Sequence, residues 1–413
     1  MLFPQNNRCR TVLDLSGFWD LKADPTDHGL DKGWSSGFDA DTFVGVPGSW
    51  NEQLAELGLM NYIGTVWYQS QFNVPIMWTG RKLILRFSSV DHHAKVWVNG
   101  KLAGEHSGGY LPFDLDVTDL VQTDEKNLLV VWVNNVLTHD TVPQGVSNDD
   151  YAEFNKQRDQ SFPPANFDFF PYGGIPRPVT LMALSHQHIA GIQIHTCIND
   201  HSGHVRYQIE FSIIANDNRI EVSFWDNDQK VFNKSNKLRQ STFVDEFDIP
   251  DCRFWSPDSP HLYRFHLELW EENTLVDEYE LEVGVREIEI KGRNLLLNGK
   301  PVFMRGFGKH EDFAVLGKGL SYPLVVKDFQ LMKWMGANSF RTSHYPYAEE
   351  IMQLADRMGF LVIDEVPAVS FNFRYVTEQT LQNHKRALTE LIVRDRNHPS
   401  VIAWSVGNEP GLW

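Results

Sequence analysis

After Gly292 the spacing of apolar residues changes from every second position to the three-and-four spacing of helices, and no other feature of this chain constrains its fold as tightly. A side-chain period of two belongs to strands and a period near 3.6 to helices, so the change separates two kinds of architecture. Downstream, Val302–Phe307 reads as a strand, and Val325, Phe329, Met332 and Met335 then recur at helical spacing. Ala337–Arg341 reads as a second strand, and Ala348, Ile351, Met352, Ala355 and Met358 mark a second helix that Gly359 should cap. Phe360–Asp364 is a third strand, Leu381, Leu388, Leu391 and Ile392 a third helix, and Val401–Val406 a fourth strand. Alternation of this kind predicts a parallel sheet, whose chemistry gathers beyond the C-terminal strand ends. Those ends carry Lys309-His310-Glu311-Asp312, Arg341-Thr342-Ser343-His344, Asp364-Glu365 and Asn408-Glu409, which should converge on one face.

Upstream of the boundary the pattern is strand-like throughout. Lys95-Val96-Trp97-Val98-Asn99-Gly100-Lys101-Leu102 sets an Asn-Gly pair between two apolar runs, a hairpin signal because both turn residues need positive φ. Leu128–Val133 is a continuous apolar run suited to a sandwich core. Residues 1–183 are therefore expected to form an all-β sandwich. In 184–286, Val205, Tyr207, Ile209, Phe211 and Ile213 alternate with Arg206, Gln208, Glu210 and Ser212, while Tyr263, Phe265, Leu267 and Leu269 alternate with Arg264, His266 and Glu268. About a hundred residues so patterned suit an immunoglobulin-like β-sandwich acting as a spacer. Residues 287–413 hold the α/β part.

Composition removes several function classes. Hydrophobic residues are 42% and charged residues 22%, too apolar for a disordered chain. With 37 Lys and Arg against 54 Asp and Glu the net charge is −17, which repels a phosphate backbone and argues against a nucleic-acid partner. The sequence has no export signal and no run of roughly eighteen apolar residues, so a soluble cytoplasmic protein without a membrane partner is expected. Cys9, Cys197 and Cys252 are odd in number and far apart, which suits buried thiols rather than disulfides or a thiolate metal site. His92-His93 and His186-Gln187-His188 lack a metal-binding helical spacing and read as surface or strand residues. Asn233-Lys234-Ser235 matches a glycosylation sequon by chance.

Glu409 is the residue most suited to acid catalysis. Two carboxyl groups about 5 to 9.5 Å apart are the minimum for hydrolysing a glycoside, one protonating the leaving oxygen and the other attacking or activating water. A carboxyl just beyond a buried strand should be partly desolvated and its pKa raised, as such an acid requires. Asn408 beside it is suited to bonding a sugar hydroxyl. Taken alone, Asn408-Glu409-Pro410 is equally a strand terminator followed by a turn.

Arg394-Asp395-Arg396-Asn397-His398-Pro399-Ser400-Val401-Ile402-Ala403-Trp404-Ser405-Val406-Gly407-Asn408-Glu409-Pro410 resembles the acid/base signature of glycoside hydrolase family 2, and Arg341-Thr342-Ser343-His344-Tyr345-Pro346 its second-strand motif. Arg305-Gly306-Phe307-Gly308-Lys309-His310-Glu311-Asp312 is similar to the first barrel strand of the β-glucuronidase branch. Asn61–Gln69 and Gly108–Phe113 resemble the family's N-terminal sugar-binding sandwich, so the likeness runs along the whole chain.

The resemblance implies a jelly-roll domain (1–183), an immunoglobulin-like domain (184–286) and a (β/α)8 TIM barrel (287–413), truncated after about four strands. It implies retaining hydrolysis of β-glucuronides without a cofactor or metal, in a protein that forms homo-oligomers, dimers or tetramers. Glu409 would be proton donor and later base, Asn408 would bond the sugar 2-hydroxyl, Arg341 would keep the nucleophile ionised, His344 would touch substrate, and Asp168 would reach the sugar pocket from the first domain. The plainer alternatives are an Arg341 paired only with Asp364 or Glu365, a His344 satisfied in the core, and an Asp168 capping a loop. A metal-dependent β-galactosidase is the rival within the family, but its acidic and His ligand positions correspond here to Val369 and Phe371, neither able to ligate. The family nucleophile and its Asn-x-Lys element have no match up to Trp413, so the 413-residue chain is expected to be inactive as a hydrolase. A fragment, a truncated product or a non-catalytic carbohydrate-binding or assembly protein would each explain that ending.

Overall fold

The computed structural model describes residues 2–146, 165, 167, 169–215, 217–314 and 316–411. The Asn-Gly turn behaves as its chemistry requires. Asn99 and Gly100 have φ of 52° and 76° and join strands His93–Val98 and Lys101–Ser107. That hairpin is the edge of a six-stranded antiparallel sheet that faces a four-stranded one, and Trp19, Trp50, Tyr68 and Phe87 fill the space between them. The apolar run at 128 lies inside strand Lys126–Asn134, at the middle of the six-stranded sheet. This is the expected jelly-roll sandwich.

Strands from Ile189 to Val283 form a second sandwich of three and four antiparallel strands, with Tyr207, Phe224, Phe247 and Phe265 in its core. Val205, Tyr207, Ile209 and Phe211 face inward as their alternation requires. Ile213 does not: its strand stops at Phe211, and the side chain is 59% exposed. Residues 3–8 lie along the outer strand Thr274–Val283, Gln5 Nε2 donating to the Glu280 carbonyl at 2.6 Å and Asn7 Nδ2 to the Glu278 carbonyl at 2.8 Å.

Beyond the change of period the elements alternate: β1 (Gly306–Gly308), α1 (Tyr322–Trp334), β2 (Ser339–Arg341), α2 (Glu349–Met358), β3 (Leu361–Glu365), α3 (Glu378–Asp395) and β4 (Val401–Ser405). The four strands are parallel neighbours in chain order, the first part of a TIM barrel. Gly359 caps α2 in the left-handed region at φ 68°, as its sequence implied. Several expected boundaries shift. Residues 294–297 and 300–301 pair as a hairpin, and β1 begins only at Gly306, leaving Phe303 77% exposed. Leu381 lies 40% exposed on α3, where Leu391 and Asp395 are the buried positions nearer its C-terminus.

Cys9 and Cys252 are buried thiols, as expected, whereas Cys197 is only partly covered. His92 is buried at 5% exposure, not a surface residue, because the sandwich turns it toward the barrel segment. No helix among the described residues is long and apolar enough to cross a membrane.

Candidate functional site

Alternation along β3 divides its two terminal acids between opposite faces. Asp364 points into the core, accepts from Thr342 Oγ1 at 3.2 Å, and lies beside Asp395 and Arg394 at the end of α3. Burial, and then the Asp395 charge, push its carboxyl well above the usual range. Asp364 therefore does not join the other strand-end residues on the expected face, since it is fully buried in the core.

Glu365 points the other way, toward the strand ends. It is fully buried, and its two oxygens lie 2.7 Å from His344 Nδ1 and 2.6 Å from Ser405 Oγ, with Arg341 Nε at 3.6 Å. Burial acts to raise this carboxyl, but the His344 and Ser405 hydrogen bonds and the Arg341 charge outweigh it and hold the group below the usual carboxylate range. Glu365 thus fixes a proton on His344 Nδ1 and ties the end of β2 to the end of β4. Sequence reading placed Glu365 on this face without giving it a role; a buried acid one residue past Asp364 was the available signal.

Arg341 Nη2 reaches Asn408 Oδ1 at 3.4 Å and lies 3.5 Å from His344 Nδ1, so three of the expected site residues meet. The pairing of Arg341 with Glu365 agrees with its plainer reading as well, yet its side chain remains 38% exposed and open to a ligand. Asn408 is held by backbone bonds from its N–H to the Ala368 carbonyl at 2.9 Å and from Ser370 N–H to its own carbonyl at 2.8 Å. Its bridge partner Val369 and the nearby Phe371 are buried hydrocarbon, so neither side chain offers a cation an oxygen ligand.

Glu409 differs from expectation. It follows β4, the outermost strand of the described sheet, and is exposed with φ 48°. An edge strand has no neighbour on its outer flank, which removes the partial burial expected for this carboxyl.

Asp168 lies outside the described residues. Phe167 and Phe169 are buried, and the Phe169 ring stands 5.3 Å from His310, 5.3 Å from Tyr345 and 6.3 Å from His344. Tyr110 of the first sandwich stacks on Tyr345 at 4.7 Å, so that domain forms one wall of the strand-end region. Among the described residues, His266, Glu278 and Glu280 form a group with metal-ligand spacing, within 4.8 Å of one another. They lie on the second sandwich, away from this face, with Arg8 already on Glu278 at 2.6 Å.

Comparison with known proteins matches residues 12–185 to the sugar binding domain of glycosyl hydrolases family 2, residues 187–286 to glycosyl hydrolases family 2, and residues 288–412 to that family's TIM barrel domain. The chain is 40% identical to a β-glucuronidase of Paenibacillus borealis, covering 99% of this chain and 69% of that one. It is 36% identical to the human β-glucuronidase, again over 99% of this chain and 65% of the relative. The solved structure of Ruminococcus gnavus β-glucuronidase in complex with D-glucuronic acid superposes with a TM-score of 0.91 at 34% identity, covering 99% of this chain and 68% of that one. The chain thus spans about two thirds of the length of these relatives.

Proposed function

This chain belongs to glycosyl hydrolase family 2, and from that premise we propose that it supplies the acid/base half of a retaining β-glucuronidase. The observation that supports this most is the meeting of Arg341, His344 and Asn408 at the C-terminal strand ends, with Glu409 next in the chain. In this reading Glu409 protonates the leaving oxygen and later deprotonates water, while Asn408 bonds the sugar 2-hydroxyl. His344, its Nδ1 proton held by Glu365, offers Nε2 to substrate. Asp168 contacts the sugar from the first sandwich, a role supported by Phe169 packing near His344.

Retaining hydrolysis needs a second carboxylate about 5–5.5 Å from the first. Glu365 is fully buried and engaged by His344, Ser405 and Arg341, which disqualifies it as a nucleophile. We assign the nucleophile, the recognition of the glucuronide carboxylate and any assembly into dimers or tetramers to the complete protein, and propose that the 413-residue chain alone does not turn over substrate. The galactosidase reading is disfavoured by the hydrocarbon at Val369 and Phe371.

The test is an assay of aryl β-glucuronide and β-galactoside with this chain and with its reading frame extended to the length of its relatives. The extended protein should cleave only the glucuronide and lose about 10²–10⁴-fold in rate with Glu409→Gln. Turnover by the 413-residue chain, preference for galactoside, or an unimpaired Glu409→Gln would each overturn the reading.

A further inference from the structure

Away from the strand ends, a cavity of about 110 Å³ lies between the second sandwich and the barrel segment. A single water needs only about 10–15 Å³, so the space holds a polyatomic ion. Arg286, Arg396, His195 and His398 supply every ionisable side chain on its wall, and none of the wall residues is acidic.

The two arginines have unusual partners. Arg286 donates from Nε to the Pro399 carbonyl at 3.0 Å and from Nη2 to the Val401 carbonyl. Arg396 donates from Nη1 to Gln193 Oε1 and from Nη2 to the Ile192 carbonyl, both at 3.3 Å, while its buried Nε finds no acceptor among the described residues. Neither forms a direct ion pair with a described carboxylate; the charges of Asp356 and Glu210 act on Arg286 and Arg396 only from a distance. Burial pushes both guanidinium groups below their ordinary range and outweighs the opposing charges of Asp356 and Glu210. The larger cleft beside this cavity, about 400 Å³, is different: Arg264 meets Glu280 at 3.4 Å and Arg357 meets Glu282 at 2.8 Å on its wall. His398 is also compensated, by Asp356 at 2.5 Å.

We propose that this cavity is a binding site for a phosphate-class oxyanion, held between Arg286 and Arg396 and joining the second sandwich to the barrel segment. A tetrahedral oxyanion accepts several N–H bonds at once, which suits two guanidinium groups on the wall of one cavity. Bound there, it would stabilise the interface by an amount that rises with the logarithm of its concentration once the site is filled.

Calorimetric titration of the chain with inorganic phosphate, against sodium chloride at matched ionic strength, tests the site. One saturable site is expected for phosphate and none for chloride, with affinity about tenfold or more weaker in Arg396→Gln. Glucose 6-phosphate separates the two sources of the group: binding at least as tight as free phosphate assigns the site to a phosphomonoester, and exclusion of the ester assigns it to the free ion. Absence of saturable heat, or undiminished binding by Arg396→Gln, overturns the proposal. Should that variant fail to fold, hydrogen exchange of the unsubstituted chain decides, since phosphate must slow exchange in residues 192–196 and 396–401, and unchanged exchange there refutes the site.

Discussion

The barrel segment meets its two neighbours through seams of different chemistry. Against the first sandwich the contacts are buried ion pairs: Arg177 with Glu311 at 2.7 Å, Arg86 with Glu349 at 2.7 Å, and Lys318 with Asp91 at 3.0 Å. Against the second sandwich, the buried side chains bond backbone instead, and the ion pair of Arg357 with Glu282 lies at the half-exposed rim. Arg286 reaches two carbonyls, Asn397 bonds the Ile192 carbonyl and the Ile194 N–H, and Trp255 Nε1 donates to the Asp356 carbonyl at 2.8 Å. A buried ion pair adds little net stability but is costly to break, so it enforces one relative placement. That suits the seam flanking the strand ends, where Tyr110 and Phe169 must stand against Tyr345 and His344. Carbonyl bonds fix position at lower risk and leave cationic charge unspent.

The largest effect should come from breaking the first seam. Arg177→Ala strands Glu311, which is 8% exposed, and should cost about 3–5 kcal/mol in chemical denaturation. Adding Glu311→Gln to Arg177→Met should recover part of that loss; no recovery would mean that packing rather than charge holds the seam. In the second seam, Trp255→Phe removes one neutral bond from a fully buried ring and should cost only about 1–3 kcal/mol. A cost equal to that of Arg177→Ala would erase the contrast.

Acid and base should loosen the seams in opposite order. His92, beside the barrel residues Pro367, Asn383 and Arg386, is held well below its ordinary pKa of 6.5 by burial and by the charges of His93, His106, Lys318 and Arg386. Its contribution is present above pH 6.5 and lost as the pH falls below it. Burial acts to lower His398, but Asp356 and Asp395 outweigh it and raise the imidazole to about 9. That contribution is full below 6.5 and lost as the pH rises through about 9. Each proton contributes at most about 1.4 kcal/mol per pH unit. Hydrogen exchange across pH 5–10 should therefore show the first seam opening earlier in acid and the second earlier in base. The smallest effect belongs to neither seam: Lys237, paired with Asp217 at 3.2 Å with both side chains about two-thirds exposed, should lose less than about 0.5 kcal/mol on change to Ala in a thermal melt.

The periodic parts of this molecule were legible in its sequence, because burial imposes period on side chains wherever an element has a wet face. Asn99-Gly100, the alternation from Val205 to Phe211 and the cap at Gly359 all follow from local rules. The meeting of Arg341, His344 and Asn408 could be anticipated from their places at parallel strand ends. What they share could not, since the bracing role of Glu365 depends on which face of β3 it takes and on Ser405 arriving from another strand. The exposure of Glu409 has a related reason, since no strand lies beside β4 in the described sheet. The carbonyl partners of Arg286 and Arg396 leave no sequence signal, because every residue presents the same carbonyl.

The strip formed by residues 3–8 has a consequence for the order of assembly. Its bonds to Glu278 and Glu280 span 271 and 275 positions, and Leu2 at its start packs against the core of the second sandwich. A ribosome makes this strip some 270 residues before its partner strand. Until then these residues have nowhere to dock, and when the Thr274–Val283 strand emerges its edge stays open until they return. These early residues therefore settle only after a long delay, and that is the interval in which a second chain could take their place.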